Sequence, residues 1–171
     1  MTAFQDIYQR YAQDVHRFAL YLSGNQALAE DITSETFVRL WASDEKKVIR
    51  MLTVKAYLFT IARHLYIDSL RAASRYTVID PELPETGASP EMLAIQRSEL
   101  REVLRVLQWL PEIDRAALLM RAQQGMSYED IARALGVSLA AVKIKIHRAR
   151  MRLAEARARG SRTHESTGGL Q

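Results

Sequence analysis

The sequence predicts an all-α protein of two small helical domains joined by a flexible acidic linker, the second domain containing a helix-turn-helix. Three observations carry this. Apolar residues recur three and four positions apart over most of the chain, with no sustained strand-like alternation. Three of the 4 prolines fall in residues 76–90, YTVIDPELPETGASP, with a glycine, three acids and no basic residue. Finally, a short capped segment, a glycine and a second capped segment follow one another in SYEDIARALGVSLAAVKIKIHRAR. The expected boundaries are 1–75 for the first domain, 76–90 for the linker, 91–159 for the second domain and 160–171 for a disordered tail.

The elements follow in order. Phe4, Ile7, Tyr8, Tyr11, Val15, Phe18, Ala19 and Leu22 make one amphipathic helix, which Ser23-Gly24-Asn25 ends. ALAEDITSETFVRLW is a second, with Leu28, Ile32, Phe37, Leu40 and Trp41 on its apolar side. Residues 43–51 are polar and basic, a loop or short helix, and a third helix runs from about Val54 to Arg75. Ser89-Pro90-Glu91 has the residue types of a helix start, and Leu93, Leu100, Val103, Leu104 and Leu107 form the stripe that follows. Leu110-Pro111 starts a further helix that Gly125 stops. Ser127 caps a short helix ending at Gly136, and Ser138 caps the last, which runs to about Arg159.

Composition narrows the function classes. The chain has 171 residues and no cysteine, so disulfides, thiolate zinc sites, iron–sulfur clusters and cysteine nucleophiles are excluded. No apolar run approaches the roughly 18 residues of a membrane span, and MTAFQDIYQRY is not a signal peptide, so a cytoplasmic protein without membrane insertion is expected. The 4 histidines, His16, His64, His147 and His164, show no metal-ligand spacing; neither a metal nor another cofactor is expected, and no catalytic constellation is visible. Net charge is +4, concentrated in residues 139–171, where 8 Lys or Arg face 2 Asp or Glu. Such a segment fits a polyanion partner, or simply a solvated basic face.

On the last helix Val142, Ile146, Ala149 and Leu153 share the core side. Ile144 and His147 lie opposite, among Lys143, Lys145, Arg148, Arg150 and Arg152. An aliphatic pole ringed by cations suits a DNA major groove, where cations meet phosphates or guanine edges and the aliphatic group meets a thymine methyl. The alternatives are an ordinary helical hairpin and an isolated exposed isoleucine. In the second helix Asp31 and Glu35 lie four apart on one face, beside Glu30 and near Phe37, Leu40 and Trp41. That reads as a docking face or a merely solvated one. In the third helix Val54, Tyr57, Leu58, Ile61 and Leu65 form a core side, while Lys55, Phe59, Arg63, Tyr66 and Leu70 lie opposite. A helix apolar on both sides needs a second thing to bury against: stacked bases of a single strand, or other helices of the same chain. Thr53 caps this helix near Lys46, Lys47, Arg50 and Lys55, a setting that would also receive a phosphate.

At these residues the chain resembles the extracytoplasmic-function sigma factors of bacterial RNA polymerase. The resemblance covers about residues 4–155 and rests on three ordered blocks: ALAEDITSETFVRLW, AYLFTIARHLYIDSLR and LPEIDRAALLMRAQQGMSYEDIARALGVSLAAVKIKIHRARMRL. It implies a first domain that binds core RNA polymerase and the promoter minus-ten element, capturing a flipped base during melting. It implies a second that binds the minus-thirty-five element and the polymerase flap. By position Asp31, Glu35, Phe37 and Trp41 fall in the polymerase-docking block. Lys55, Phe59, Arg63, His64 and Arg71 fall in the block that melts and reads the minus-ten strand. Lys143, Ile144, Lys145, His147 and Arg148 fall on the minus-thirty-five recognition helix. His64 stands where relatives commonly carry asparagine, and Ile144 where they commonly carry serine, so the promoter sequence stays open. A separate anti-sigma factor is the implied regulator. A palindrome-binding helix-turn-helix repressor and a helical adaptor that binds no DNA are the rival readings.

Overall fold

The computed structural model describes residues 3–43, 53–77 and 98–165, with side-chain environments for 3–43, 53–75 and 99–160. Among the described residues every regular element is an α-helix. These are α1 (Ala3–Ser23), α2 (Gln26–Ala42), α3 (Val54–Thr77), α4 (Ser98–Leu107), α5 (Glu112–Ala122), α6 (Tyr128–Leu135) and α7 (Leu139–Glu165).

Caps set the helix starts. Asn25 Oδ1 accepts the Leu28 amide at 3.0 Å, Thr53 Oγ1 that of Ala56 at 3.0 Å, Ser127 Oγ that of Asp130 at 3.1 Å and Ser138 Oγ that of Ala141 at 3.1 Å. Each satisfies one of the amides that a helix start leaves without a partner. Gly136 ends α6 in the left-handed region at φ 67°, which lets the chain turn within two residues into α7. Two expected boundaries move. Residues 76 and 77, assigned to the linker, still belong to α3, and α7 runs to Glu165, past Gly160 where a disordered tail was expected. One glycine costs a helix only about 1 kcal/mol relative to alanine, and the segment before it, AEARAR, consists of strong helix formers. The rest of the linker, the Ser89-Pro90-Glu91 start, Leu93 and most of residues 43–51 lie outside the described residues.

Helices α1, α2 and α3 pack together as the first unit; α4 to α7 form the second, with α5 and α6 against α7. The two units also pack on each other, α3 against α6 and α1 against α4 and α5. One apolar core therefore runs from Val15, Phe18 and Leu22 through Leu58 and Phe59 to Met120, Ile131 and Val142. This answers what the two-sided α3 buries against: Phe59 is fully buried, its ring edge-on to Phe18 at 4.8 Å between centroids.

Polar contacts complete the junction. Arg63 places Nε 2.8 Å and Nη2 3.0 Å from the two carboxylate oxygens of Glu112. Lys55 Nζ donates to the Gln124 carbonyl at 2.7 Å, and Arg115 Nη2 to the Tyr66 hydroxyl at 3.0 Å. Gln124 Nε2 reaches the Asp14 carbonyl at 3.3 Å. Gln108 Nε2 reaches the Tyr21 and Leu22 carbonyls at the end of α1, 3.4 Å from each. Gly24 makes that approach possible: its φ is 66°, and a Cβ there would come within 3.0 Å of Gln108 Nε2.

Candidate nucleic-acid and polymerase interface

The second unit holds the helix-turn-helix. Ile131 and Leu135 of α6 and Val142, Ile146 and Ala149 of α7 are buried where α7 packs on α5 and α6, which fixes the rotation of α7 about its axis. The opposite face is then outward as expected: Ile144 is 61% exposed, and Lys143, His147 and Arg148 are exposed around it, with Lys145 half-buried. Two of these cations are held in place. Lys143 Nζ lies 5.9 Å from the centre of the Tyr128 ring, which Arg121 also covers at 4.5 Å. Arg148 donates Nε to Asp114 Oδ2 at 2.9 Å and Nη2 to Oδ1 at 3.0 Å. That carboxylate raises the guanidinium pKa above its ordinary value, chiefly through these hydrogen bonds.

The docking block divides. Asp31 and Glu35 are exposed on α2 as expected, Glu35 in a surface pair with Arg39 at 3.3 Å. Trp41 is 69% exposed, with its ring edge-on to Phe4 at 4.9 Å. Of the three apolar residues near the acids, Phe37 and Leu40 are buried and Trp41 is the exposed one. Phe37 turns inward to meet Tyr8, 4.9 Å between ring centres, and supports the exposed patch from beneath. That patch comprises Tyr8, Val38 and Trp41, with Glu35 one turn before Val38 and Asp31 one turn before Glu35.

The minus-ten candidates divide in three. His64 and Arg71 are exposed. Lys55 and Arg63 point into the junction and are taken by Gln124 and Glu112. Phe59 belongs to the core, so of the two coverings open to this face of α3, stacked bases or other helices of the chain, its ring has the second. Periodicity set Phe59 opposite a core side of Val54, Tyr57, Leu58, Ile61 and Leu65; in the structure the Phe59 side is the more deeply buried, and all of these but Leu58 are half-buried, because α1 and the second unit, remote in sequence, cover the Phe59 side. Thr53 is exposed, and the described residues include Lys55 but not Lys46, Lys47 or Arg50.

Sequence reasoning missed Glu112, Asp114 and Arg115. Their signal was three charges at the opening of α5, where acids read as ordinary support for a helix N-terminus. Asp114 and Arg115 are in fact buried. Burial lowers the Arg115 pKa from its ordinary value, and its guanidinium also donates to the Leu107 and Leu110 carbonyls at 3.2 and 3.4 Å. Among the described residues no group of three or more His, Asp or Glu could hold a metal ion, and no helix is long and apolar enough to cross a membrane.

Two family models match the chain, Sigma-70 region 2 over residues 7–76 and Sigma-70, region 4 over residues 100–153. The ECF RNA polymerase sigma factor SigE of Mycolicibacterium smegmatis is 33% identical over 158 residues, which are 90% of this chain and 61% of that protein. SigM of Bacillus subtilis, also an ECF RNA polymerase sigma factor, is 31% identical over 154 residues, 86% of this chain and 91% of the relative. Among solved structures, the sigma factor RpoE in complex with the anti-sigma factor NepR from Bartonella quintana superposes with a TM-score of 0.75 at 27% identity, covering 91% of this chain and 96% of that one.

Proposed function

Because the chain belongs to the extracytoplasmic-function sigma factors of RNA polymerase, we propose that it binds core polymerase and directs promoter-specific initiation, α1–α3 serving the minus-ten element and α4–α7 the minus-thirty-five element. It acts by binding, not by catalysis, and works in the cytoplasm. The observation that carries the reading is the outward face of α7, where exposed Ile144 stands among Lys143, His147 and Arg148 on a helix whose other side is locked into the core. Cations supply phosphate contacts and guanine donors, while the isoleucine has only an apolar surface to offer a base.

Polymerase docking falls to Asp31, Glu35 and the exposed indole of Trp41, with Phe37 as the packing beneath. An aromatic anchor beside a charged rim has the make-up of a protein interface. The groove between α4 and α7, with Val106, Trp109, Leu110, Leu153 and Ala156 as its apolar lining and Arg152, Glu155 and Arg159 as its charged lining, suits the polymerase flap. Minus-ten reading falls to His64 and Arg71, joined by Lys55 and Arg63 once the two units part.

They must part for geometric reasons. Elements named for positions ten and thirty-five lie roughly 25 base pairs apart, about 85 Å along B-DNA. A folded chain of this length has a radius of gyration of only about 16 Å. The packed arrangement cannot touch both elements, so it is the form away from the promoter, and an anti-sigma factor that stabilised it would keep the chain inactive. In vitro transcription with core polymerase and a randomised promoter library tests the function. Enriched promoters with two separated conserved elements support it; no transcription above core polymerase alone refutes it. A palindromic selection without polymerase would point to a repressor.

A further inference from the structure

Asp114 is fully buried in the first turn of α5, and both its oxygens are taken by Arg148 of α7. The fork engages Nε and one Nη2 hydrogen. It leaves outside it the end of the guanidinium, the two Nη1 hydrogens and the second Nη2 hydrogen. Arg148 is four residues from Ile144, hence on the same outward face, and its side chain is 47% exposed. An arginine held on one edge by a buried carboxylate and open on the other is a preformed pair of parallel donors. That pair matches guanine O6 and N7 in the major groove.

We propose that Asp114 is a positioning residue for promoter reading, fixing the Arg148 guanidinium so that its open edge meets one guanine of the upstream element. The inference rests on α7 being the minus-thirty-five reader. An unsupported arginine loses its rotamer freedom when it binds; here the fork has already taken it, so more of the contact appears as discrimination. Stability does not account for the pair. Well-packed apolar residues in place of such ion pairs are often neutral or stabilising, so a buried carboxylate is a poor choice for holding α5 to α7.

The asymmetry of burial makes the test practicable. Removing the carboxylate leaves an arginine that water can reach, whereas removing the arginine strands a buried charge. Holoenzymes carrying wild type, Asp114→Asn, Asp114→Ala, Arg148→Ala and Asp114→Asn with Arg148→Ala are compared on a library randomised through the minus-thirty-five element, with thermal melts of each chain. Arg148→Ala identifies the guanine position by its lost preference. Asp114→Asn is expected to lose about tenfold in preference at that same position. It should leave the other positions unchanged, and the double variant should lose no more there. Asp114→Ala is expected to behave alike, and carries the test if the asparagine variant fails to fold. If both Asp114 variants keep the wild-type guanine preference while Arg148→Ala loses it, positioning is refuted and promoter reading stands. Equal loss on every sequence refutes it too, since that is a phosphate or purely structural role. A wild-type holoenzyme without any preference in the element refutes the reading of α7, and this inference with it.

Discussion

Arg63 and Glu112, 49 positions apart in sequence, meet in a two-bond fork of 2.8 and 3.0 Å that ties the middle of α3 to the first turn of α5. Their side chains are only 10% and 21% exposed, so the pair is shielded far better than a surface ion pair. It also consumes a cation assigned to the minus-ten strand.

Reversing the acid should therefore open the molecule. Glu112→Lys sets two cations against each other at a cost on the order of 3 kcal/mol. The expected outcome is a larger radius of gyration by small-angle scattering, with helix content unchanged. Binding of the free chain to a single-stranded minus-ten oligonucleotide should rise several-fold, because Arg63 is released. An unchanged scattering profile would show that the apolar junction alone holds the units together.

The docking face gives an independent outcome. Asp31 and Glu35 are exposed, and the Glu35–Arg39 pair at 3.3 Å is the kind worth well under 1 kcal/mol. Asp31→Lys with Glu35→Lys should leave the melting temperature nearly unchanged yet abolish co-purification with core polymerase, since like charges facing each other across an interface cost several kcal/mol. Retention of the double variant by core polymerase would remove these acids from the docking site.

What the sequence disclosed and what it hid divide along a physical line. Helix positions, caps and the outward face of α7 depend on residues within a few turns of each other, and periodicity with capping rules placed Ile144, Val142 and Ser138 correctly. The second face of α3 suits stacked bases and other helices of the chain alike, and the partners that Phe59, Arg63 and Lys55 find there, Phe18, Glu112 and the Gln124 carbonyl, come from distant parts of the sequence. Asp114 was hidden for the same reason. A carboxylate in a first helical turn looks solvated until α7 is laid beside it.

The junction also carries a pH dependence through Tyr66. Burial raises its phenol pKa above the ordinary 10.0; the nearby Arg115 opposes this and Glu112 adds to it. A group with a raised folded-state pKa favours the protonated form in the folded chain. Its contribution is intact below pH 10.0 and is lost as pH rises through the folded-state value. The difference in tyrosinate absorbance between wild type and Tyr66→Phe should therefore show one phenol titrating above pH 10.0, and stability should fall over the same range in wild type more than in the variant. A phenol titrating at or below its ordinary value would mean that Tyr66 is not enclosed between the units in solution.

The last outcome concerns the two kinds of contact on α7. Ile144 is 61% exposed and has no donor, so the only feature of a base edge it can favour is the thymine methyl. Lys143, one residue earlier and held over Tyr128 at 5.9 Å, offers a compact charge suited to a phosphate. The two substitutions should separate cleanly in the same promoter selection. Ile144→Ser should relax the preference at one or two thymines of the minus-thirty-five element while overall affinity falls little. Lys143→Ala should weaken binding about equally on all sequences and reduce the slope of log affinity against log salt by about 1. Measured affinities of the holoenzyme across a salt series, on the selected promoter and on thymine-substituted copies, provide the comparison. If Ile144→Ser leaves the thymine preference intact and Lys143→Ala alters it, the groove-facing side of α7 is rotated toward Lys143 and the assignment of its faces is wrong.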